Sequence, residues 1–231
     1  MKRIGILSDT HGFWDERYAL HFRDCDEIWH AGDIGSLEVA DRLAAIAPLR
    51  AVHGNIDSGD VRRLFPEVLR FRCEQADVLL KHIGGYPGRY DPTVVRLLLK
   101  NPPHLFVDGH SHILKVMSDQ TLRPASTPTT PMLHINPGAA GLQGWQTVRT
   151  LVRLTVDGTR FKDLEVIELG GRQPAVEPGA TCMAAPLTPI GPECSRREYT
   201  TKDETEKTNL PLSNLYDKTC TVYSQFQGSR L

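Results

Sequence analysis

Five short polar segments of this chain carry side chain types that bind divalent metal ions. They contain aspartate, asparagine and histidine, and each one follows an apolar run of strand length. The segments are residues 8–11, 31–33, 54–57 and 109–112, together with His82. Oxygen and imidazole ligands suit Mn, Fe, Zn and related ions. Because ligands bind at the carboxyl ends of strands in open α/β sheets, the five segments are predicted to converge on one edge.

We interpret these segments together as one centre for two metal ions. Residues two apart point to the same side of an extended backbone, so Asp9 and His11 are expected to hold one ion. By the same reasoning, His110 and His112 are expected to face two neighbouring ions. The glycines beside these residues, at positions 32, 54 and 109, are expected to let the backbone turn sharply.

Each segment also has a structural interpretation when it is taken alone. An aspartate-x-histidine match arises easily by chance, and a glycine-aspartate pair usually marks a turn. A single histidine near a strand end, such as His82, is more often partly buried than bound to metal. The joint occurrence of five such segments, all after strands and all with oxygen or imidazole ligands, favours the metal centre.

Strand-like runs alternate with helical periodicity in the first part of the chain. Helices are predicted over residues 14–23 and 37–46, the second with Ser36 as its N-cap. This alternation indicates βαβ units and a largely parallel sheet. The predicted strands of the whole chain are residues 3–8, 27–31, 49–53, 68–73, 78–82, 105–107, 113–117, 133–135, 148–156 and 160–169.

The second half is richer in strands. Polar residues 74–77 predict a hairpin turn, and Asp157-Gly158 predicts another. Asp91 and Pro92 predict the start of a helix that runs to Lys100, with the aspartate as its cap.

The composition changes after residue 169. Residues 170–231 contain six prolines and only nine leucine, isoleucine, valine and phenylalanine residues, which are too few for a packed core. We therefore expect one α/β domain over residues 1–169 and a disordered or loosely attached extension over residues 170–231.

Charge and composition exclude several classes of function. Lysine and arginine number 27 against 28 acidic residues, so neither general nucleic-acid binding nor membrane binding is expected. The five scattered cysteines predict neither a disulfide framework nor a zinc knuckle. The apolar run before Asp9 is too short for a signal peptide, and no segment is long enough to span a bilayer. We expect a cytoplasmic protein with a small substrate, and the sequence leaves a homo-oligomer open.

The motifs resemble those of the calcineurin-like metallophosphoesterases, and within them the YfcE-type phosphodiesterases. The resemblance covers residues 1–169 and rests on residues 4–12, 30–33, 54–57, 109–112 and 136–138. It implies a four-layer α/β/β/α sandwich with two metal ions at the strand ends. It also implies a ligand set in which Asp33 bridges the ions, with Asp9, His11 and His112 on one ion and Asn55, His82 and His110 on the other.

The resemblance implies Mn²⁺ as the working ion, although these ligand types also suit Ni²⁺, Fe²⁺ and Zn²⁺. Two divalent ions, two aspartates and a bridging hydroxide sum to about plus one, which suits a singly charged phosphodiester. Ions roughly 3.5–4 Å apart activate a shared water for in-line attack, so no protein nucleophile is required.

One position departs from the pattern of the wider superfamily. Many members have a histidine that assists the leaving group directly after the asparagine, whereas this chain has Ile56 there. His53 is the nearest titratable substitute, although a histidine that ends a strand is also a common structural residue. Asp33, Asn55 and His53 are therefore the predicted catalytic residues.

Two alternatives to a phosphodiesterase remain. A phosphomonoesterase or nucleotide phosphatase would use the same ions, and a Vps29-like scaffold would keep the fold without the chemistry. The complete ligand set favours catalysis. His30 is interpreted either as a support for the ligands or as a purely structural residue, and His134 is left unassigned.

Overall fold

Two five-stranded sheets form the framework of this protein in a computed structural model, which describes residues 1–122 and 131–171. The strands of the first sheet are β1 (Lys2–Leu7), β2 (Glu27–His30), β3 (Leu49–Ala51), β11 (Val148–Asp157) and β12 (Arg160–Gly171). Those of the second are β4 (Val68–Cys73), β5 (Ala76–Lys81), β8 (Leu105–Val107), β9 (Lys115–Asp119) and β10 (Met132–Asn136). A separate hairpin pairs β6 (Gly85–Tyr86) with β7 (Arg89–Tyr90).

The strand orders are β12-β11-β1-β2-β3 and β4-β5-β8-β10-β9. In each sheet three strands run parallel, and the remaining pairs are antiparallel. The predicted hairpins β4–β5 and β11–β12 are confirmed. The parallel pairing predicted from the βαβ units of the first part is confirmed for β1, β2 and β3. Each sheet as a whole is mixed, because β4, β9, β11 and β12 add antiparallel pairs.

Helices begin where polar side chains can bind free backbone N–H groups. Helix α1 (Glu16–Phe22) is capped by Asp15, α2 (Leu37–Ile46) by Ser36, and α4 (Pro92–Lys100) by Asp91 with proline in the first turn. The Ser36 and Asp91 caps are confirmed. A short helix, α3 (Gly59–Leu64), was not predicted, because it buries only Val61 and has no apolar periodicity.

Three apolar clusters lie between the layers of the fold, because successive side chains of a strand point to opposite faces of its sheet. On β1, Ile6 contributes to the cluster between the two sheets, whereas Leu7 faces α1 and α2. On β5, Leu80 lies in the same central cluster, whereas Leu79 packs with α4. The resulting order is helices, sheet, sheet, helix, which confirms the four-layer α/β/β/α prediction.

The described residues belong to one compact unit, Met1–Ala180. Strand β12 continues through Gly171, so the first two residues of the predicted extension belong to this strand, and Gly171 pairs with Val148 of β11. The rest of the predicted extension, residues 172–231, lies outside the described residues. Within residues 1–122 and 131–171, no helix is long and apolar enough to cross a membrane.

Candidate metal centre

The loops that follow β1 and β2 are joined by backbone hydrogen bonds. The N–H of Asp9 donates to the carbonyl of Gly32 at 3.0 Å, and that of His11 donates to the carbonyl of Asp33 at 2.9 Å. On the opposite side, the N–H of Gly109 donates to the carbonyl of His82 at 3.0 Å. Strand ends from both sheets thus bring their loops to one edge.

Five of the seven predicted ligands occupy a backbone conformation that L residues rarely adopt. Positive φ angles of 56°, 49°, 54°, 65° and 57° occur at Asp9, His11, Asp33, His110 and His112. Each costs on the order of 1–3 kcal/mol, and such residues concentrate at functional sites. The expectation of an extended backbone at the aspartate-x-histidine and histidine-x-histidine pairs is therefore wrong, and these side chains converge through tight turns.

The glycines beside the predicted ligands also have a role that was not predicted. Of Gly32, Gly54 and Gly109, only Gly32 has a positive φ, of 99°. A Cβ on Gly32 would lie 2.6 Å from Nδ1 of His82, and a Cβ on Gly54 would lie 2.0 Å from Oδ1 of Asp33. The absence of a side chain at these positions lets the ligands of neighbouring loops approach.

A first group of possible metal ligands consists of Asp9, His11 and His112. Nε2 of His112 lies 3.1 Å from Oδ1 of Asp9, and Nε2 of His11 lies 3.9 Å from the same oxygen. The two imidazole nitrogens are 3.4 Å apart. Three donor atoms therefore face one point.

A second group consists of Asp33, His82 and His110. Nε2 of His82 lies 3.2 Å from Oδ2 of Asp33 and 3.1 Å from Oδ1 of Asn55, so Asn55 adjoins this group. Nδ1 of His82 lies 2.8 Å from the carbonyl oxygen of Ala31, which can only accept a hydrogen bond. The proton of neutral His82 is therefore on Nδ1, and Nε2 presents its lone pair to the site.

Asp33 lies between the two groups. Its Oδ2 is 3.2 Å from Nε2 of His82 in the second group and 3.9 Å from Nε2 of His11 in the first. Its Oδ1 accepts a hydrogen bond from the N–H of Ile56 at 3.0 Å, which fixes the carboxylate plane. This position is the one that a bridging ligand requires.

Electrostatics keep the central carboxylate ionised. Burial opposes the charge of Asp33, but hydrogen bonding and charge from His82 outweigh it, and the pKa of Asp33 falls below its usual value. Burial likewise opposes the charged form of His82, yet Asp33 and Asp9 raise the pKa of His82. At His11 burial prevails, and its pKa is lowered.

The residues of both groups fit divalent cations. Oδ1 of Asp9 is buried and has no hydrogen-bond partner among the described residues, although three imidazole nitrogens lie within 4.0 Å of it. An unpaired buried carboxylate oxygen is costly unless a cation binds it. All seven predicted ligands lie in or beside the two groups, and their roles as ligands remain predictions.

His53, the predicted proton donor, lies outside both groups. It lines a pocket of about 240 Å³ together with Asn55 and His82. Nδ1 of His53 is 3.2 Å from the carbonyl oxygen of Gly54. The histidine is thus beside the predicted metal centre, where it can reach a substrate group held in the pocket.

Asp57 is a supporting residue whose role the motif alone did not indicate. Its buried carboxylate accepts hydrogen bonds from the N–H groups of Ile34, Gly35 and Gly54 at 3.1, 2.7 and 2.8 Å. It therefore joins the loop of Asp33 to the loop of Asn55. The only signal in the sequence was its position two residues after Asn55.

His30 is a buried residue that supports the loops after β1 and β2 through hydrogen bonds. Burial lowers its pKa to about 4, so it is neutral near pH 7. Because the N–H of Gly32 donates to Nδ1, the proton is on Nε2, which donates to Oγ1 of Thr10 at 2.9 Å. The threonine hydroxyl then donates to the carbonyl of Ile34. The histidine fixes two ligand-bearing loops.

His134 is a second buried histidine that supports a loop of the site, here the loop that carries His110 and His112. Its Nε2 lies 3.1 Å from Oδ1 of Asp108, and both side chains are fully buried. Asn136, two residues farther along β10, donates to the carbonyl of Gly109 at 2.7 Å. These long-range contacts were not predictable from the motifs.

Comparisons with known proteins agree with this geometry. A model of the calcineurin-like phosphoesterase superfamily domain matches residues 1–159. A probable metallophosphoesterase from Methanothermobacter thermautotrophicus is 31% identical over 178 residues, which cover 72% of this chain and 92% of that protein.

Solved structures share the fold at lower identity. One, reported as a novel archaeal phosphodiesterase, has a TM-score of 0.52 and 21% identity, covering 72% of this chain and 99% of its own. Chaetomium thermophilum Vps29 has a TM-score of 0.55 and 14% identity, covering 75% and 100%. Given the family match and the two ligand groups, this chain belongs to the calcineurin-like phosphoesterase superfamily, a membership that indicates a metal-dependent phosphoesterase hydrolase.

Proposed function

We propose that this protein is a YfcE-type phosphodiesterase that binds two divalent ions, with Mn²⁺ as the working ion, and acts on a small substrate in the cytoplasm. The observation that carries the diester assignment is the pocket beside Asn55 and His82. A phosphodiester has two substituents on phosphorus, so its site needs space on both sides of the phosphoryl group. A monoester needs space on one side only.

The chain's own residues have distinct tasks in this proposal. Asp33 and Asn55 hold ions at the centre, and Asp57 keeps their loops together through its hydrogen bonds. When bound, such ions activate water and neutralise charge on the phosphoryl oxygens. With two carboxylates in the predicted ligand set, the centre remains electropositive and attracts an anionic phosphate.

His53 is the proposed proton donor to the leaving group. The imidazolium form carries protons on both nitrogens, and Nδ1 lies next to the carbonyl oxygen of Gly54. Transfer of the Nε2 proton leaves the neutral tautomer with its Nδ1–H still bonded to Gly54. Ile56 cannot substitute, because its side chain has no titratable group and only its N–H contacts Asp33.

The deciding experiment compares hydrolysis of bis(p-nitrophenyl) phosphate and p-nitrophenyl phosphate by the Mn²⁺-loaded protein. A higher kcat/KM for the diester is the expected result. Dominant hydrolysis of the monoester would overturn the diester assignment in favour of a phosphomonoesterase or nucleotide phosphatase.

A non-catalytic scaffold is the second candidate, because the fold is shared with Vps29. The variants Asp33→Asn and His82→Ala separate it from an enzyme. Both are expected to lose bound metal and hydrolysis, whereas His21→Ala on α1 serves as a control that keeps them. Absence of metal from the wild type, or unchanged hydrolysis in both variants, would favour the scaffold.

A further inference from the structure

Lys81, next to the predicted ligand His82, is a buried cation whose counter-ion is exposed. Its side chain is 6% accessible, and its Nζ lies 2.6 Å from Oε1 of Glu67, whose side chain is 67% accessible. Among the described residues, this is the one hydrogen bond or ion pair of the Lys81 ammonium. A buried charge needs an anion close by, whereas a pair with an exposed carboxylate contributes little stability. Another anion can therefore replace Glu67 as the partner of Lys81.

A second cation lines the same pocket. Arg62 donates from Nε to the carbonyl of Asp57 at 2.5 Å and from Nη2 to the carbonyl of Gly54 at 3.2 Å. These bonds fix the guanidinium at the pocket wall, and its Nη1 has no hydrogen bond within the described residues. Among the residues that line the pocket, one arginine and one lysine stand against one glutamate.

The pocket opens directly onto the predicted metal centre. Asn55 and His82 line it, and their side chains are 3.1 Å apart. Its volume of about 240 Å³ far exceeds the about 10–15 Å³ that one water molecule needs. One substrate can thus place a phosphoryl group at the centre and a second group beside Lys81 and Arg62.

We propose that this pocket binds a second phosphate of the substrate, so that the enzyme prefers a phosphodiester bearing a terminal phosphate monoester. The inference rests on the proposed phosphodiesterase function. A phosphate carries more charge than the Glu67 carboxylate. It also offers more acceptor oxygens to the Lys81 ammonium and to Nη1 of Arg62, the guanidinium nitrogen that does not donate to Asp57 or Gly54. It therefore replaces Glu67, which rotates into solvent.

The test compares thymidylyl-thymidine with the same dinucleotide phosphorylated at its 5′ or its 3′ end, using Mn²⁺-loaded protein. One phosphorylated form is expected to have a kcat/KM about tenfold higher, the effect of one charge-assisted hydrogen bond. Lys81→Met is expected to abolish this advantage, and Glu67→Gln to enlarge it by removing the competing anion. Glu165→Gln, which breaks an exposed ion pair with Arg153, is the matched control and leaves the ratio unchanged.

The inference is wrong if neither terminal phosphate gives an advantage, or if a folded Lys81→Met protein keeps it. Should Lys81→Met fail to fold, an unchanged ratio in Glu67→Gln overturns it equally. If the protein hydrolyses neither these dinucleotides nor bis(p-nitrophenyl) phosphate, the phosphodiesterase proposal fails by itself. Calorimetry on the same proteins then measures the dissociation constants of the phosphorylated and the unphosphorylated dinucleotide. Their ratio decides whether the subsite exists.

Discussion

The carboxylate of Asp9 is tied to the backbone of His110. Its Oδ2 accepts a hydrogen bond from the N–H of His110 at 3.1 Å, whereas Oδ1 is buried without a hydrogen-bond partner in the described part of the chain. One oxygen thus joins the loops of the two sheets, and the other is left for a cation. Asp9 therefore has a structural role beside its predicted role as a ligand.

Asp9→Asn is predicted to separate these two roles. The amide oxygen can still accept from His110, but the negative charge is lost. We expect about one equivalent less bound metal by elemental analysis, and hydrolysis reduced at least about a hundredfold. The exposed Asp24→Asn variant is the control. Retention of both ions by Asp9→Asn would contradict the assignment of Oδ1 as a ligand.

Asp57→Ala is predicted to destabilise the protein strongly. It leaves the N–H groups of Ile34, Gly35 and Gly54 without their acceptor. At about 1–3 kcal/mol for each unpaired buried donor, partly offset by water entry, the loss in free energy of unfolding is about 3–5 kcal/mol. Urea denaturation measures it. Asp60→Ala removes a solvent-exposed carboxylate of the adjacent helix and should change stability by less than about 0.5 kcal/mol.

Glu27 is predicted to make stability depend on acid pH. Hydrogen bonds from Arg50, Lys2 and Trp29 outweigh its burial and lower its pKa from 4.5 to about 2. A carboxyl whose pKa is lower in the folded than in the unfolded chain stabilises the fold above the unfolded-state value. This contribution, about 2–3 kcal/mol at neutral pH, is lost as pH falls from 4.5 towards 2.

Glu27→Gln should therefore be less stable than the wild type at pH 7, with a difference that shrinks below pH 4.5. Urea unfolding of the metal-free proteins at several pH values measures this difference. Because both proteins contain the same site histidines, the titration of these histidines cancels in the difference between the two free energies of unfolding. A difference that stays constant down to pH 3 would show that charge on Glu27 is not its source.

His53→Gln is predicted to affect substrates according to their leaving group. A diester with an alcohol leaving group needs a proton, so its kcat should fall by about 10²–10⁴-fold. Bis(p-nitrophenyl) phosphate, whose leaving group departs as a stable anion, should be much less affected. Equal losses for both substrates would indicate that His53 has only a structural role.

The ligand types of the predicted centre could be read from the sequence. Aspartate, asparagine and histidine types follow from the chain directly, and their positions after apolar runs follow from local periodicity. The caps Ser36 and Asp91 were readable for the same reason, since a helix start depends on neighbouring residues. Family resemblance added the four-layer arrangement, which periodicity alone did not supply.

How these residues come together depends on the tertiary fold. Asp33 lies between His11 and His82, which are 22 and 49 residues away in the chain. The contact of Lys81 with Glu67 likewise joins residues that are not neighbours in the sequence. The left-handed backbone at the ligands was missed because local preference favours extended strand ends. Hydrogen bonds between loops, such as those to Asp57, stabilise that conformation, and no local pattern encodes such bonds.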